Sequence, residues 1–266
     1  MVAPRDHVLL RNSRVSNWLA IRELRGTDEE SMTSTGTTAV IALIDALLVE
    51  TPGSSFRRGD AAKLSAADRD LVLAAVYRQS FGSSVHSVIL CSNCDERFDT
   101  DFELAELFER LQKTVDESNV KAVGDGVFEA ESGIRFRLPT GYEECSLIGK
   151  SGAKGLEWLL GRCIVSGDPG QVGDTVQAAM EQVAPIASLN VEARCPECGH
   201  VQEAHFDLQY FLLTALMTER QNLANEIHLL ARTYSWSRTE IMEMPRSQRK
   251  TAVDLITGTV SREWGG

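Results

Sequence analysis

The segment Val85-His86-Ser87-Val88-Ile89-Leu90-Cys91-Ser92-Asn93-Cys94 decides the reading of this chain. Its first six residues are rich in β-branched and apolar types, and they follow Gly82, which stops the helical pattern before it, so they predict a strand running into a CxxC turn. A second turn, Cys195-Pro196-Glu197-Cys198-Gly199, lies far downstream. At equal distance each turn is followed by Phe-acid-Leu, as Phe102-Glu103-Leu104 and Phe206-Asp207-Leu208. Each knuckle therefore leads into a strand and then a helix, as two pseudo-symmetric halves of one unit; the matching positions are too few for a repeat architecture.

The chemistry of such a pair of turns is specific. A CxxC turn lets two sulfurs converge on one ion while backbone N–H groups favour their negative charge, and two turns complete the closed tetrahedral shell that zinc prefers. The expectation is one structural Zn2+ held by Cys91, Cys94, Cys195 and Cys198, with Gly199 relieving the tight backbone after the second pair. Compact ribbons usually space their knuckles by about 15–20 residues, so the wide gap here requires a subdomain inserted between the two hairpins. His86 and His200 could ligate, but four thiolates already fill the shell. Thiol redox chemistry would need a low-pKa cysteine at a helix N-terminus in a thioredoxin-like βαβ pattern, which is not seen. Cys145 and Cys163 sit among apolar neighbours in predicted helices and read as buried free thiols.

The bulk composition agrees with a folded protein. The chain has 266 residues, 43% hydrophobic and 24% charged, enough to bury a core without disulfides. The longest apolar stretch, 37–49, is interrupted by Asp45 and is short of the ~20 residues that span a bilayer, so a buried helix and no membrane association are expected. Residues 1–14 carry charges and no apolar h-region, which predicts no export and a reducing compartment. A net charge of −11 repels a phosphate backbone and argues against a nucleic-acid partner. There is no Gly-rich phosphate loop, no nucleophile elbow and no HExxH, and no carboxylate pair has acid/base spacing; no catalytic residue, and no small-molecule substrate, is expected.

Read along its length, the chain predicts an α+β protein: a zinc-ribbon core of two CxxC knuckles with short β-hairpins, a large mixed insertion, and flanking helices. Residues 1–36 form an N-terminal arm, with a short strand at 21–24 and the acidic turn Gly26-Thr27-Asp28-Glu29-Glu30. Residues 37–103 hold two helices, 37–50 and 66–80, the second capped by Ser65, and the first knuckle. Residues 104–186 are an inserted mixed α/β subdomain, with a hairpin at 127–131 and 134–138 and helices near 141–149, 154–164 and 174–185. Residues 187–266 bring the second knuckle and a long amphipathic helix from about 207 to 234, with Leu212, Leu216, Leu223, Ile227, Leu230 and Tyr234 in one stripe. A helical corner follows, opened by a capping box from Ser237 to Glu240, broken at Pro245 and continued by a helix to about 256; the last residues are expected to fray.

The corner offers three readings. Tyr234 and Trp236, with Arg246, Arg249 and Lys250, could place basic groups on phosphate in a helix-turn-helix or form a docking surface for a protein. Alternatively the aromatics pack the corner and the arginines are solvated. His228 shares a polar helix face with Gln221, Asn225 and Arg232, as a contact residue or an ordinary exposed one.

The string Asn225-Glu226-Ile227-His228-Leu229-Leu230-Ala231-Arg232-Thr233-Tyr234-Ser235-Trp236-Ser237, with Glu240-Ile241 and 246–249, resembles the tail of baseplate or baseplate-hub assembly proteins of contractile-tailed phages and related injection systems. Gly26-Thr27-Asp28-Glu29-Glu30, Asp68-Arg69-Asp70, Phe81-Gly82 and the two CxxC knuckles extend the resemblance over much of the chain. It departs at Ala252, where an aromatic is expected, and gives 104–185 no motif. The resemblance implies a non-enzymatic assembly or structural factor that touches baseplate hub, spike or tail proteins, with His228, Tyr234, Trp236, Arg246 and Arg249 as candidate contacts. It also implies assembly in the cytoplasm and leaves open retention in the particle. The rival readings are a zinc-ribbon regulator that binds nucleic acid or polymerase, and a thiol redox protein.

Overall fold

The computed structural model describes residues 6–150, 152–167 and 169–258, so the expected fraying of the last residues lies outside the described part. The N-terminal segment opens with β1 (Asp6–Leu9) and β2 (Trp18–Ile21), paired antiparallel with Asp6 opposite Ile21. A short helix α1 (Gly26–Ser31) follows, then α2 (Thr37–Leu47) and α3 (Ala66–Phe81). Helix α2 buries Val40, Leu43, Ile44 and Leu47, the i, i+3, i+4, i+7 spacing of one helix face. Helix α3 begins where Ser65 accepts the Asp68 N–H and ends at Gly82, whose φ of 93° favours glycine.

Next come β3 (Ser84–Leu90), β4 (Arg97–Glu103) and α4 (Leu104–Asp116). The following segment forms a four-stranded antiparallel sheet in the order β5 (Lys121–Gly124), β6 (Val127–Glu129), β7 (Arg135–Arg137), β8 (Ile164–Ser166), with α5 (Gly141–Cys145), α6 (Gly152–Cys163) and α7 (Pro169–Val183). It has its own apolar cluster, centred on Phe136, Leu160 and Val176. The chain then returns as β9 (Ser188–Arg194), β10 (Val201–Asp207), the long α8 (Leu208–Tyr234), α9 (Arg238–Glu243) and α10 (Arg246–Thr257). The protein is therefore α+β, with two small ribbon hairpins, a mixed insertion and flanking helices, as the sequence predicts.

The two halves of the ribbon match in detail at an offset of 104 positions, Cys91 to Cys195. In each, two seven-residue strands pair antiparallel. The first cysteine N–H bonds to the carbonyl of Glu96 or His200, at 2.8 Å in both. Asp95 and Gly199 take the same left-handed φ, 58° and 72°. Leu104 N–H bonds to Ser83 O and Leu208 N–H to Ala187 O, so each hairpin is closed at the step into its helix. Phe102 and Phe206, equivalent positions, meet edge to face with ring centroids 4.9 Å apart, which puts the pseudo-twofold axis between them. The symmetry extends outward to helices: α3 packs on α8 and α7 packs on α4, so the helix before each hairpin rests on the helix after the other.

The expectations differ from the structure chiefly at the N-terminus. Residues 6–36 are built into the main core, which takes in Val8, Leu10, Leu19, Ile21, Leu24 and Met32. The acidic turn at 26–30 is helix α1, and Asp28 and Glu29 in it are buried. Asp28 is held by Arg22 through two bonds of 2.6 and 2.9 Å, which balances a charge that sequence polarity alone assigns to solvent. The strand expected at 21–24 lies earlier, at Trp18–Ile21, and β5 and β8 add two strands to the hairpin predicted in the insertion.

Candidate metal centre

The loops at the tips of the two hairpins face each other and bring Cys91, Cys94, Cys195 and Cys198 together, with every pair of sulfurs within 4.8 Å. The Sγ of Cys91 lies 3.6 Å from that of Cys198, and the Sγ of Cys94 lies 3.8 Å from that of Cys195. All four are free thiols. A tetrahedron with metal–sulfur bonds of ~2.3 Å has edges of ~3.8 Å, which the 3.6 and 3.8 Å separations match, and all four sulfurs are close enough to share one ion. Cys91 and Cys195 are buried with Phe98 and Ala193, which shields the first sulfur of each pair from water.

The thiols titrate unequally. The His200 backbone N–H and the Asn93 side chain pull the Cys198 thiol down to about 6. At Cys94 the equivalent Glu96 backbone N–H also favours the thiolate, but burial and the three neighbouring sulfurs outweigh it and push the group up to about 12. Sulfurs this close resist carrying several negative charges unless a cation stands between them. The donor set therefore fits a thiophilic divalent ion. His200 sits beside the shell, its Nε2 3.2 Å from Ser92 Oγ, whereas His86 lies on an exposed face, 2.7 Å from Asp101.

The five residues named as partner contacts are not brought into one patch. His228 and Tyr234 are exposed on α8. Trp236 stacks on Tyr234 at 4.6 Å and 24° while lying against the small apolar cluster of Leu230, Ile241 and Ala252. Arg246 and Arg249 are buried. Arg249 is wholly inaccessible and bonds Glu29 at 2.5 Å and Glu226 at 2.7 Å, and Arg246 bonds Glu29 at 2.7 Å and Glu219 at 2.8 Å. Lys250 completes the cluster through Glu219 and Glu226. The two guanidinium groups thus clamp α10 onto α1 and α8 and present nothing to solvent.

The motif Asp68-Arg69-Asp70 is a second internal clamp that polarity did not reveal. Asp68 accepts backbone N–H groups from Arg11 and Asn12, Arg69 bonds Glu144 of α5 at 2.5 Å, and Asp70 accepts the Ala187 N–H at 2.7 Å, just before β9. One turn of α3 so ties the N-terminus, the insertion and the second hairpin together. Burial pushes the Asp70 carboxyl up to about 7, against the pull of the Ala187 N–H and Arg69, and raises Asp68 as well.

Fold and site define an α+β protein with a zinc-ribbon-like cysteine centre at the meeting point of two pseudo-symmetric hairpins. The family of T4 bacteriophage base plate proteins matches residues 18–177, more than half of the chain, and the chain belongs to that family. The matched stretch runs from β2 into α7 and includes the first knuckle but not the second. Comparison with curated proteins and with solved structures gives no match. Membership supports a structural role in a phage baseplate. Among the described residues no helix is long and apolar enough to cross a membrane.

Proposed function

We propose that this chain is a non-enzymatic zinc protein that helps build the baseplate hub of a contractile phage tail or injection particle, contacting hub, spike or tail proteins. The observation that carries the reading is the convergence of four sulfurs from two distant hairpins, in a chain of the base plate family. One structural Zn2+ held by Cys91, Cys94, Cys195 and Cys198 would fix the two hairpins relative to one another, so that order is supplied by metal binding and not by the partner. Within this reading, 104–186 is an inserted subdomain, and the exposed His228 and Tyr234 of α8 meet the partner, Tyr234 backed by the half-buried Trp236 stacked on it. Arg246 and Arg249, buried against Glu29, Glu219 and Glu226, hold α10 in place and do not meet the partner. Assembly takes place in the cytoplasm, and the protein works by presenting rigid surfaces. Deleting the gene tests the reading: particles lacking complete baseplates support it, and particles with normal, complete baseplates overturn it.

A further inference from the structure

The pseudo-twofold relation makes the two flanks of the ribbon comparable, and they are not alike. On one flank β3 lies beside β10, whose Gln202 reaches Leu90 and Ser92, and on the other β4 and α4 lie beside β9. Among the described residues each hairpin is a separate two-stranded sheet, and no strand pairs with its two outer edges. The β9/β4 flank, between Leu189, Val191 and Glu106, Leu107 of α4, leaves a cavity of only about 80 Å³. The β3/β10 flank opens into a cleft of about 320 Å³, floored by Phe102, Phe206 and Phe211 and bordered by Val88 and Tyr210. Both border residues are far out of the core, Val88 62% and Tyr210 61% exposed.

The cleft is shaped for a backbone. Because Cys91 N–H bonds to Glu96 O and Leu104 N–H to Ser83 O, the odd-numbered residues of β3 bond to β4 and the even-numbered ones turn their N–H and C=O groups outward. At the metal end this outward edge is already answered. The Gln202 side-chain amide donates to Leu90 O at 2.9 Å and accepts from Ser92 N–H at 2.8 Å, the two groups that a parallel neighbouring strand would use. Further along the edge, His86 and Val88 carry the same outward groups beside the open cleft. The other flank has no counterpart to this stitch, because Phe98 and Pro196 occupy the positions equivalent to Gln202 and Ser92.

We propose that the cleft between β3 and β10 takes an extended segment of a partner protein, added as a strand on the β3 edge, with apolar side chains inward and lysine or arginine outward. Apolar residues suit the phenylalanine floor. Cationic residues suit the rim, where Asp207 lines the cleft beside His205 and Glu203 lies on the outer face of β10; across β3, on β4, stand Asp99 and Asp101, the latter paired with His86 at 2.7 Å. Strand addition gives affinity through main-chain bonds and selectivity through alternate side chains. The inference rests on the hairpin geometry and not on the identity of the metal.

The test uses the full chain, with metal content measured on the same sample, and a short acetylated, amidated peptide alternating valine and lysine. Control peptides carry glutamate for lysine, or N-methyl groups on alternate backbone nitrogens. Binding of the first peptide should slow amide exchange at His86 and Val88 by about tenfold or more, and both controls should bind about tenfold or more weakly. Val88→Lys, at an exposed position, should block binding without unfolding the chain, and Tyr210→Ser should weaken it. Unchanged exchange at saturating peptide, slowing confined to β4 and β9, equal binding of the N-methylated peptide, or protection of the two amides by a second copy of the chain in a dimer would each overturn the proposal.

Discussion

Replacing Arg249 with methionine should be among the most damaging single changes outside the metal centre. The buried cluster holds three cations, Arg246, Arg249 and Lys250, against three carboxylates, Glu29, Glu219 and Glu226. Removing the Arg249 guanidinium leaves two cations facing three carboxylates, and Glu29, only 1% exposed, loses one of its two arginine partners. An uncompensated charge buried in this way typically costs about 3–5 kcal/mol. A loss of that order in urea-unfolding free energy is therefore expected for Arg249→Met. The double variant Arg249→Met, Glu29→Gln restores two against two, and should be more stable than Arg249→Met alone. A loss below about 1 kcal/mol for Arg249→Met would be the value of an exposed pair and would refute the clamp; so would strict additivity of the two substitutions.

Asp70 sets a pH signature. Its carboxyl titrates near 7 in the folded chain against an ordinary value of 3.8, so the unfolded chain releases its proton first as pH rises. Stability contributed by the protonated carboxyl is full below pH 4 and is lost as pH rises towards 7, at about 1.4 kcal/mol per unit of displacement. Asp70→Asn keeps an acceptor for the Ala187 N–H and should flatten that fall in thermal or urea melts; an unchanged pH profile would count against the assignment. Glu219 has the opposite sign, since its hydrogen bonds to Lys250 and Arg246 overcome burial and hold it near 2 against 4.5. Its stabilisation is present above pH 4.5 and disappears as pH falls towards 2, and Glu219→Gln should remove that acid dependence. Ser65→Ala deletes the α3 cap and should cost about 1 kcal/mol, read from the urea midpoint. Cys195→Ser should lower zinc content and melting temperature together, whereas Cys145→Ser should change neither.

Much of the fold was legible because its signals are local. The α3 cap at Ser65, the stop at Gly82, the capping box from Ser237 to Glu240 and the α8 stripe all depend on neighbours a few residues away, and the structure contains each of them. The cysteine cluster was legible because CxxC spacing carries chemistry as well as shape. What stayed hidden depends on long-range charge compensation. Nothing in the spacing of Glu29 reveals that Arg249, 220 positions away, will bury it, nor that Asp70 will receive the Ala187 N–H across 117 positions. Tyr234 follows the stripe of α8 in sequence but comes out exposed at its end, because Ser235 turns left-handed and only Trp236 folds back onto the corner. The β1–β2 pairing is not legible in the sequence because its turn carries no Asn-Gly or Gly-rich signal.

Native mass spectrometry of the purified full chain, with cysteine alkylation before and after a chelator, tests whether the four cysteines hold an ion. The expected result is a mass increment of one zinc ion, with Cys91, Cys94, Cys195 and Cys198 resisting alkylation until the ion is removed. A metal-free chain in which those four thiols alkylate freely, or in which either CxxC pair is a disulfide, would contradict it.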